Sequence, residues 1–206
     1  MIGAQGLPRI GRSAGTLIML AATGAVAIAV LLITSPTGDG SPAPGEPLAI
    51  RAETPRFQTL ASLTAAADLV VIGRVTGIRE GRVIDSPGAG IRTRLVDLTV
   101  ERLLAGQLAA STLVMEEEGW LADGTPIIVN GIAPSRTGDL GFYFLFRGRS
   151  LAFPHYTLIG EQGRYLVDPE DGSLTGAQGD AGLSQLITAL SAAELESLVA
   201  QLQARR

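Results

Sequence analysis

Residues 14–34 form an uninterrupted stretch of 21 residues without a charged side chain. At about 1.5 Å per residue, a helix of this length spans roughly 31 Å, the thickness of the hydrocarbon core of a bilayer. The stretch is longer than the apolar region of a cleaved signal peptide, which extends to about 15 residues and precedes a small-x-small site. We therefore predict an uncleaved transmembrane helix over residues 14–34, with cleavage as a signal peptide as the alternative.

The charges on either side of this stretch predict its orientation. Arg9 and Arg12 precede it, whereas the next arginine in the chain is Arg51. Because positively charged flanks stay on the cytoplasmic side, residues 1–13 are predicted to be cytoplasmic and everything after Thr34 extracytoplasmic. The exported part holds 14 arginines and 20 acidic residues. This acidity argues against a nucleic-acid partner.

The composition excludes several kinds of active site. The chain has no cysteine, its 16 basic residues are all arginine, and it has one histidine. Without cysteine there is no disulfide, thiolate nucleophile or cysteine-ligated metal, and without lysine there is no Schiff base or Ser–Lys dyad. A single histidine also excludes a multi-histidine metal cage. We expect no cofactor and no metal.

The part beyond the predicted membrane helix divides into a spacer and one domain. Residues 35–55 contain five prolines and three glycines and have no apolar period. This composition predicts a semi-extended linker. Residues 56–206 then form a single exported domain.

Short alternating or β-branched segments predict a domain that is mainly β. The predicted strands are residues 69–78, 91–106, 111–117, 125–129, 141–148, 155–159 and 164–167. The hydrophobic phase switches within residues 91–106, which is typical of a β-bulge. Strands at intervals of about 8–15 residues with almost no helices between them favour a small antiparallel, OB-like β-barrel over βαβ units.

Helices are predicted at both ends of this domain, which makes the fold class mainly β with terminal helices (α+β). The first follows from the helical spacing of Phe57, Leu60, Leu63 and Ala67. A C-terminal helix pair follows from two apolar stripes, Leu183, Leu186, Ile187 and Leu190, then Leu195, Leu198, Val199 and Leu202. Asp180 is the predicted N-cap of the first, and Ser191 with Glu194 forms a capping box for the second.

Four motifs in a fixed order carry a family resemblance. They are ADLVVIGRV (67–75), LTVERLLAG (98–106), GDLGFYFLF (138–146) and GEQGRY (160–165). Over residues 57–174 the chain resembles a family of uncharacterised bacterial envelope proteins with an N-terminal membrane anchor and an exported domain. The layout is also similar to the OB-type barrel of tissue-inhibitor and netrin-like modules, which bind proteins and are usually disulfide-rich. The resemblance implies the fold and a protein partner in the cell envelope, and it supplies no catalytic residue.

Two polar features of the sequence are candidate sites. His155 could serve a Ser–His–acid hydrolase, but no G-x-S-x-G elbow occurs and a half-exposed surface histidine is the simpler interpretation. Glu116, Glu117 and Glu118 with Asp123 could offer oxygens to Ca²⁺. Because consecutive side chains alternate faces on a strand, and because the calcium-loop pattern is absent, a solvated strand end is the preferred interpretation.

Two aromatic features leave similar alternatives. Phe142, Phe144 and Phe146 share one face of a predicted strand, either as a stacking platform or, preferably, as core. Trp120 is either a binding anchor or a packing residue. No catalytic, cofactor-binding or metal-binding residue is assigned.

These observations lead to three expectations for function. The first is a single-pass membrane-anchored, extracytoplasmic protein whose domain is a non-catalytic binding or scaffold module of the cell envelope. The second is an envelope hydrolase that uses His155 with an unidentified serine or acid. The third is a structural or regulatory partner of another membrane protein, contacted through the helix of residues 14–34.

Overall fold

The computed structural model describes residues 47–84, 90–148, 154–177 and 182–205. Its strands are β1 (Leu48–Ile50), β2 (Leu69–Ile84), β3 (Ile91–Ala105), β4 (Thr112–Leu121), β5 (Ile127–Val129), β6 (Leu140–Arg147), β7 (Tyr156–Leu158), β8 (Arg164–Val167) and β9 (Leu174–Thr175). Its helices are α1 (Leu60–Ala66), α2 (Leu183–Thr188) and α3 (Ala192–Ala204), with a 3₁₀ turn at Glu161–Gly163. The domain is therefore mainly β, as predicted.

The predicted transmembrane helix of residues 14–34 lies outside the described residues, as does the predicted cap Asp180. None of the helices within the described ranges combines the length and the apolar character needed to cross a membrane.

Five strands pair into a closed ring in the order β2, β3, β4, β7, β6 and back to β2. Every step is antiparallel except β4–β7, where Met115 pairs with Tyr156 in parallel. A ring with an odd number of strands cannot alternate its direction throughout, so one parallel contact is unavoidable. The expectation of a wholly antiparallel barrel is wrong at this contact, which is a single residue pair.

The two longest strands are bent by bulges. β2 runs on to Ile84, six residues beyond the predicted strand of residues 69–78. Its pairing with β3 shifts register at four places, and β3 shifts against β4 between Arg92 and Thr93. Bulges bend a strand and increase its twist, so both strands can curve around the barrel. The phase switch within residues 91–106 predicted a β-bulge, and the register shifts confirm bulges along β3.

Both faces of the barrel wall are packed with apolar side chains. The interior cluster comprises Leu69, Val71, Val75, Val96, Leu98, Leu113, Met115, Tyr143 and Leu145. The outer cluster joins the sheet to the three helices and comprises Leu63, Val70, Ile72, Phe142, Phe144, Ile159, Tyr165, Leu174, Leu183, Ile187, Leu195 and Val199. Successive residues of β2 and β6 enter opposite clusters, as the two-residue period of a strand requires.

The C-terminal helix α3 closes the outer cluster. Ser191 caps it, with its hydroxyl accepting from the Glu194 backbone N–H at 3.3 Å and the Glu194 carboxylate accepting from the Ser191 N–H at 2.8 Å. Leu195 and Val199 are fully buried, whereas Leu198 is 38% exposed. The predicted apolar stripe therefore docks on the chain's own barrel.

The N-terminal part of the domain is longer than the sequence indicated. β1 lies inside the stretch assigned to the linker, and it pairs in parallel with β5. The Asn130 side chain then bonds both backbone groups of Ala52, and the Gln162 side chain does the same for Phe57. These two amides hold the chain leading into α1 as a neighbouring strand would, so residues 48–57 of the chain are part of the folded domain.

Candidate functional site

A groove of about 880 Å³ lies beside the single β4–β7 contact. Its lining comes from the β3–β4 turn (residues 107–110), the start of β4 (residues 112–114), Asp97 of β3, Arg147 at the end of β6, and residues 154–156. The groove therefore exists because β7 is short and meets β4 at one point only.

The start of β4 presents an unpaired strand edge to this groove. The Val100 N–H donates to the Ser111 carbonyl at 2.8 Å, which makes these two residues a hydrogen-bonded pair. Because such pairs alternate with non-bonded ones in an antiparallel ladder, Leu113 directs its backbone groups toward β3. Thr112 and Val114 direct theirs to the opposite side, where the Met115–Tyr156 bridge occupies the Val114 carbonyl. The Thr112 backbone groups and the Val114 N–H are left facing the groove. In the part of the chain that the structure describes, no strand pairs with this edge ahead of the β7 contact.

The charges around the groove are unevenly neutralised. Both Asp97 oxygens are bonded by Arg79, from Nη2 at 2.8 Å and from Nε at 3.2 Å. This contact, and to a smaller extent the charge of His155, holds the pKa of Asp97 below its ordinary value. Arg147 is exposed, and its guanidinium makes no ion pair with any described residue. The groove thus offers the guanidinium of Arg147 as a cation on a domain that is acidic as a whole.

His155 lines the groove near Asp97 and is half-buried. A Ser–His–acid triad needs a serine next to the imidazole and a carboxylate free to orient it. Among the described residues that line the groove there is no serine, and the hydroxyl groups belong to Thr112 and Tyr156. The Asp97 carboxylate is already held by Arg79.

The acidic run of residues 116–118 is spread over different partners. Glu116 is buried and accepts from Arg82 Nε at 2.8 Å and from Thr93 Oγ1 at 2.8 Å. Asp123 caps its own turn, and a backbone N–H bond holds its pKa below the ordinary value. Within the described ranges, no cluster of three or more His, Cys, Asp or Glu side chains could hold a metal ion. The acids considered for Ca²⁺ are therefore not brought together.

Glu117 is the centre of a buried polar network that the sequence did not indicate. Its side chain is 9% exposed, and its carboxylate contacts Arg94 Nη1 at 3.1 Å and Arg164 Nη1 at 3.7 Å. It also accepts from the Ser135 backbone N–H at 3.1 Å and from the Ser135 hydroxyl at 2.8 Å. Arg164 donates in turn to the Ser135 hydroxyl at 2.8 Å and to the Ala133 carbonyl. The network ties β3, β4 and β8 to the segment before β6.

Trp120 lies against this network. It is half-buried, and its ring centroid is 5.5 Å from the guanidinium carbon of Arg94. A cation stacked on an aromatic face stabilises both groups. This position favours packing over a binding anchor.

The aromatic stripe of β6 belongs to the core. Phe142 and Phe144 are fully buried in the outer cluster, and Phe144 meets Tyr165 edge-to-face with centroids 6.3 Å apart. Only Phe146, at the end of the strand, is 38% exposed. A stacking platform on this stripe is therefore not formed. On the opposite face the Tyr143 hydroxyl is buried, and burial raises its pKa above the ordinary value.

Comparison with known proteins assigns no family to the chain. No protein-family model matches the chain, and a search of the curated proteins found no match.

Proposed function

We propose that this protein is a non-catalytic binding or scaffold module of the cell envelope, and that the groove beside β4 is its binding site. The observation that carries the proposal is the β4 edge at Thr112 and at the Val114 N–H, which no strand within the described ranges pairs. An exposed strand edge pairs readily with another extended segment. The groove therefore suits a partner protein that contributes an extended segment as an added strand.

The strand order supports an OB-like barrel. In that fold the first strand pairs with both the second and the fourth, and ligands bind on the face of the second and third strands beside the connecting loops. In this chain β2 is the strand that pairs with both the next strand, β3, and the fourth strand of the ring, β6. Strands β3 and β4, with the residues before β7, therefore correspond to that binding face. The groove lies there.

We further propose that residues 14–34 anchor the protein in the membrane with its N-terminus in the cytoplasm. The uncharged stretch and the arginines that precede it support this topology. Protease added outside intact cells should then degrade the domain, and the chain should stay with the membrane after an alkaline wash. Recovery of a soluble, processed chain would contradict the anchor.

The binding site can be tested by photo-crosslinking in native membranes. p-Benzoylphenylalanine is introduced at Ala109 or Thr112 in the groove, and at Gln185 or Gln201 on the helix-covered side as matched controls, since all four residues are exposed. The proposal predicts a discrete crosslinked species from the groove positions alone. Crosslinks confined to the helix positions, or none at any position, would contradict it.

A hydrolase is the second candidate, and one observation favours it: the only histidine of the chain lines the groove near Asp97. A fluorophosphonate probe labels activated serine nucleophiles covalently. The binding-module proposal predicts no labelling of the native chain. Labelling that is lost in His155→Ala would overturn the proposal in favour of the hydrolase.

A further inference from the structure

We infer that the partner segment carries a carboxylate, and that Arg147 and His155 bind it at one end of the groove. This inference rests on the proposed function, because it assigns the chemistry of the ligand of the same site. It excludes neutral or basic strands as the preferred ligand.

Arg147 provides a fixed cation. It is the last residue of β6 and pairs with Tyr156 of β7, so its backbone position is set by the sheet. Its N–H donates to Asp68 Oδ2 at 2.9 Å, which anchors the backbone further. The side chain lines the groove and is exposed, and within the described ranges no carboxylate forms an ion pair with it. A guanidinium binds carboxylates through two parallel hydrogen bonds.

His155 provides a second donor beside the first. Its carbonyl accepts from the Gly148 N–H at 3.0 Å, which joins it to the end of β6 next to Arg147. Asp97 faces the same groove, but its two oxygens are bonded by Arg79, so this pair is close to neutral. The titratable and charged groups that line the groove with His155 are Asp97, which is held by Arg79, together with Arg147 and Tyr156.

The surroundings favour a peptide carboxylate over a free anion. The same groove contains the β4 edge, where the Thr112 backbone groups and the Val114 N–H need both donor and acceptor partners, and a free anion supplies no donor. Leu113 and Leu108 add apolar lining. The exported part of the chain carries six more acidic than basic residues. The end of the groove at Arg147 is therefore a cationic place on an acidic domain, and its charge is complementary to that of an acidic segment.

The test compares two labelled octapeptides of alternating threonine and valine, one with a central glutamate and one with glutamine at that position. Binding to the full chain in detergent micelles is measured by fluorescence anisotropy. We expect the glutamate peptide to bind about tenfold more tightly, since hydrogen bonds to charged groups are stronger than neutral ones. In Arg147→Gln the preference should fall to about twofold or less, and in His155→Gln it should fall partly.

Arg136→Gln is the matched control, because Arg136 is exposed and does not line the groove. It should keep the tenfold preference, and all three variants should melt like the parent chain. The imidazole resonance of the only histidine should also shift with the glutamate peptide and not with the glutamine peptide.

Equal binding of the two peptides would overturn the carboxylate inference and leave groove binding intact. A preference that persists in Arg147→Gln would overturn the assignment to this arginine. If neither peptide binds, both the inference and the proposed function fail.

Discussion

Two sides of the same barrel differ in what covers them. On one side α1, α2 and α3 cover β2, β6 and β8, and the side chains between them are almost completely buried. On the other side β4 and β7 touch at one residue pair and leave a groove along the β4 edge. Both sides contain apolar residues, but among the described elements helices cover the first side only.

This contrast separates residues that hold the fold from residues that are free to bind. Changes on the helix-covered side should lower the stability of the domain, because the side chains there are buried and packed against one another. Changes in the groove should cost little stability and should alter binding instead.

Removal of α3 should have the largest effect. A chain truncated after Leu190 loses two fully buried side chains, Leu195 and Val199, each of which stabilises by about 1.5–3 kcal/mol. For a domain of this size the melting temperature should fall by about 10–20 °C. The control is a chain truncated after Ala204, which should melt like the parent. An unchanged melting temperature after the longer truncation would mean that α3 belongs to a partner interface.

Phe144→Ala should destabilise the domain by about 3–5 kcal/mol, the usual loss for a buried aromatic side chain. Phe146→Ala is the matched control on the same strand, and because Phe146 is 38% exposed its loss should be less than half as large. Urea unfolding followed by tryptophan fluorescence measures both. Equal losses would show that Phe144 contributes no more buried packing than the exposed Phe146 at the end of the strand.

Glu117→Gln should destabilise by about 3 kcal/mol, because it leaves two buried arginines without their counter-ion. The control is Glu101→Gln, which breaks an exposed pair with Arg74 and should change stability by less than about 1 kcal/mol. Urea unfolding of the two variants gives the comparison. A loss below 1 kcal/mol for Glu117→Gln would mean that the network does not hold the strands together.

Ser191→Ala should have the smallest effect, about 1 kcal/mol, the usual loss for an N-cap. Hydrogen bonds from the Ser191 N–H and hydroxyl hold the pKa of Glu194 below its ordinary 4.5. The folded pKa is the lower one, so this contribution is present above pH 4.5 and is lost as the pH falls through the lowered value. The variant should lose part of this acid sensitivity in melting curves recorded from pH 6 to pH 3. An unaltered acid dependence would contradict the cap.

The strands were predictable because alternation is a local signal. In β6, residues 142–145 alternate between the two clusters, and the capping box at Ser191 is likewise a pattern within four residues. The parallel β4–β7 contact was not predictable in this way, because it follows from closing the ring and not from either strand. β1 was missed because three residues are too few to show a period.

The candidate site was predictable only in part. His155 was singled out by being the only histidine, but its neighbours in the groove come from segments up to 58 residues away, at Asp97. The network around Glu117 was missed for the same reason, since Arg164 is 47 residues further along the chain. A run of three glutamates looks like a solvated strand end, and the sequence carries no signal that two of its members are buried.

We propose that the β4 edge at Thr112 and at the Val114 N–H is open to a partner strand. Amide hydrogen exchange of the full chain without any partner measures whether these groups are paired. We expect fast exchange at Thr112 and Val114, whose N–H groups face the groove, and slow exchange at Leu113 and Met115, which bond to β3. Slow exchange at all four residues would contradict an open edge, because it would mean that the edge is already paired.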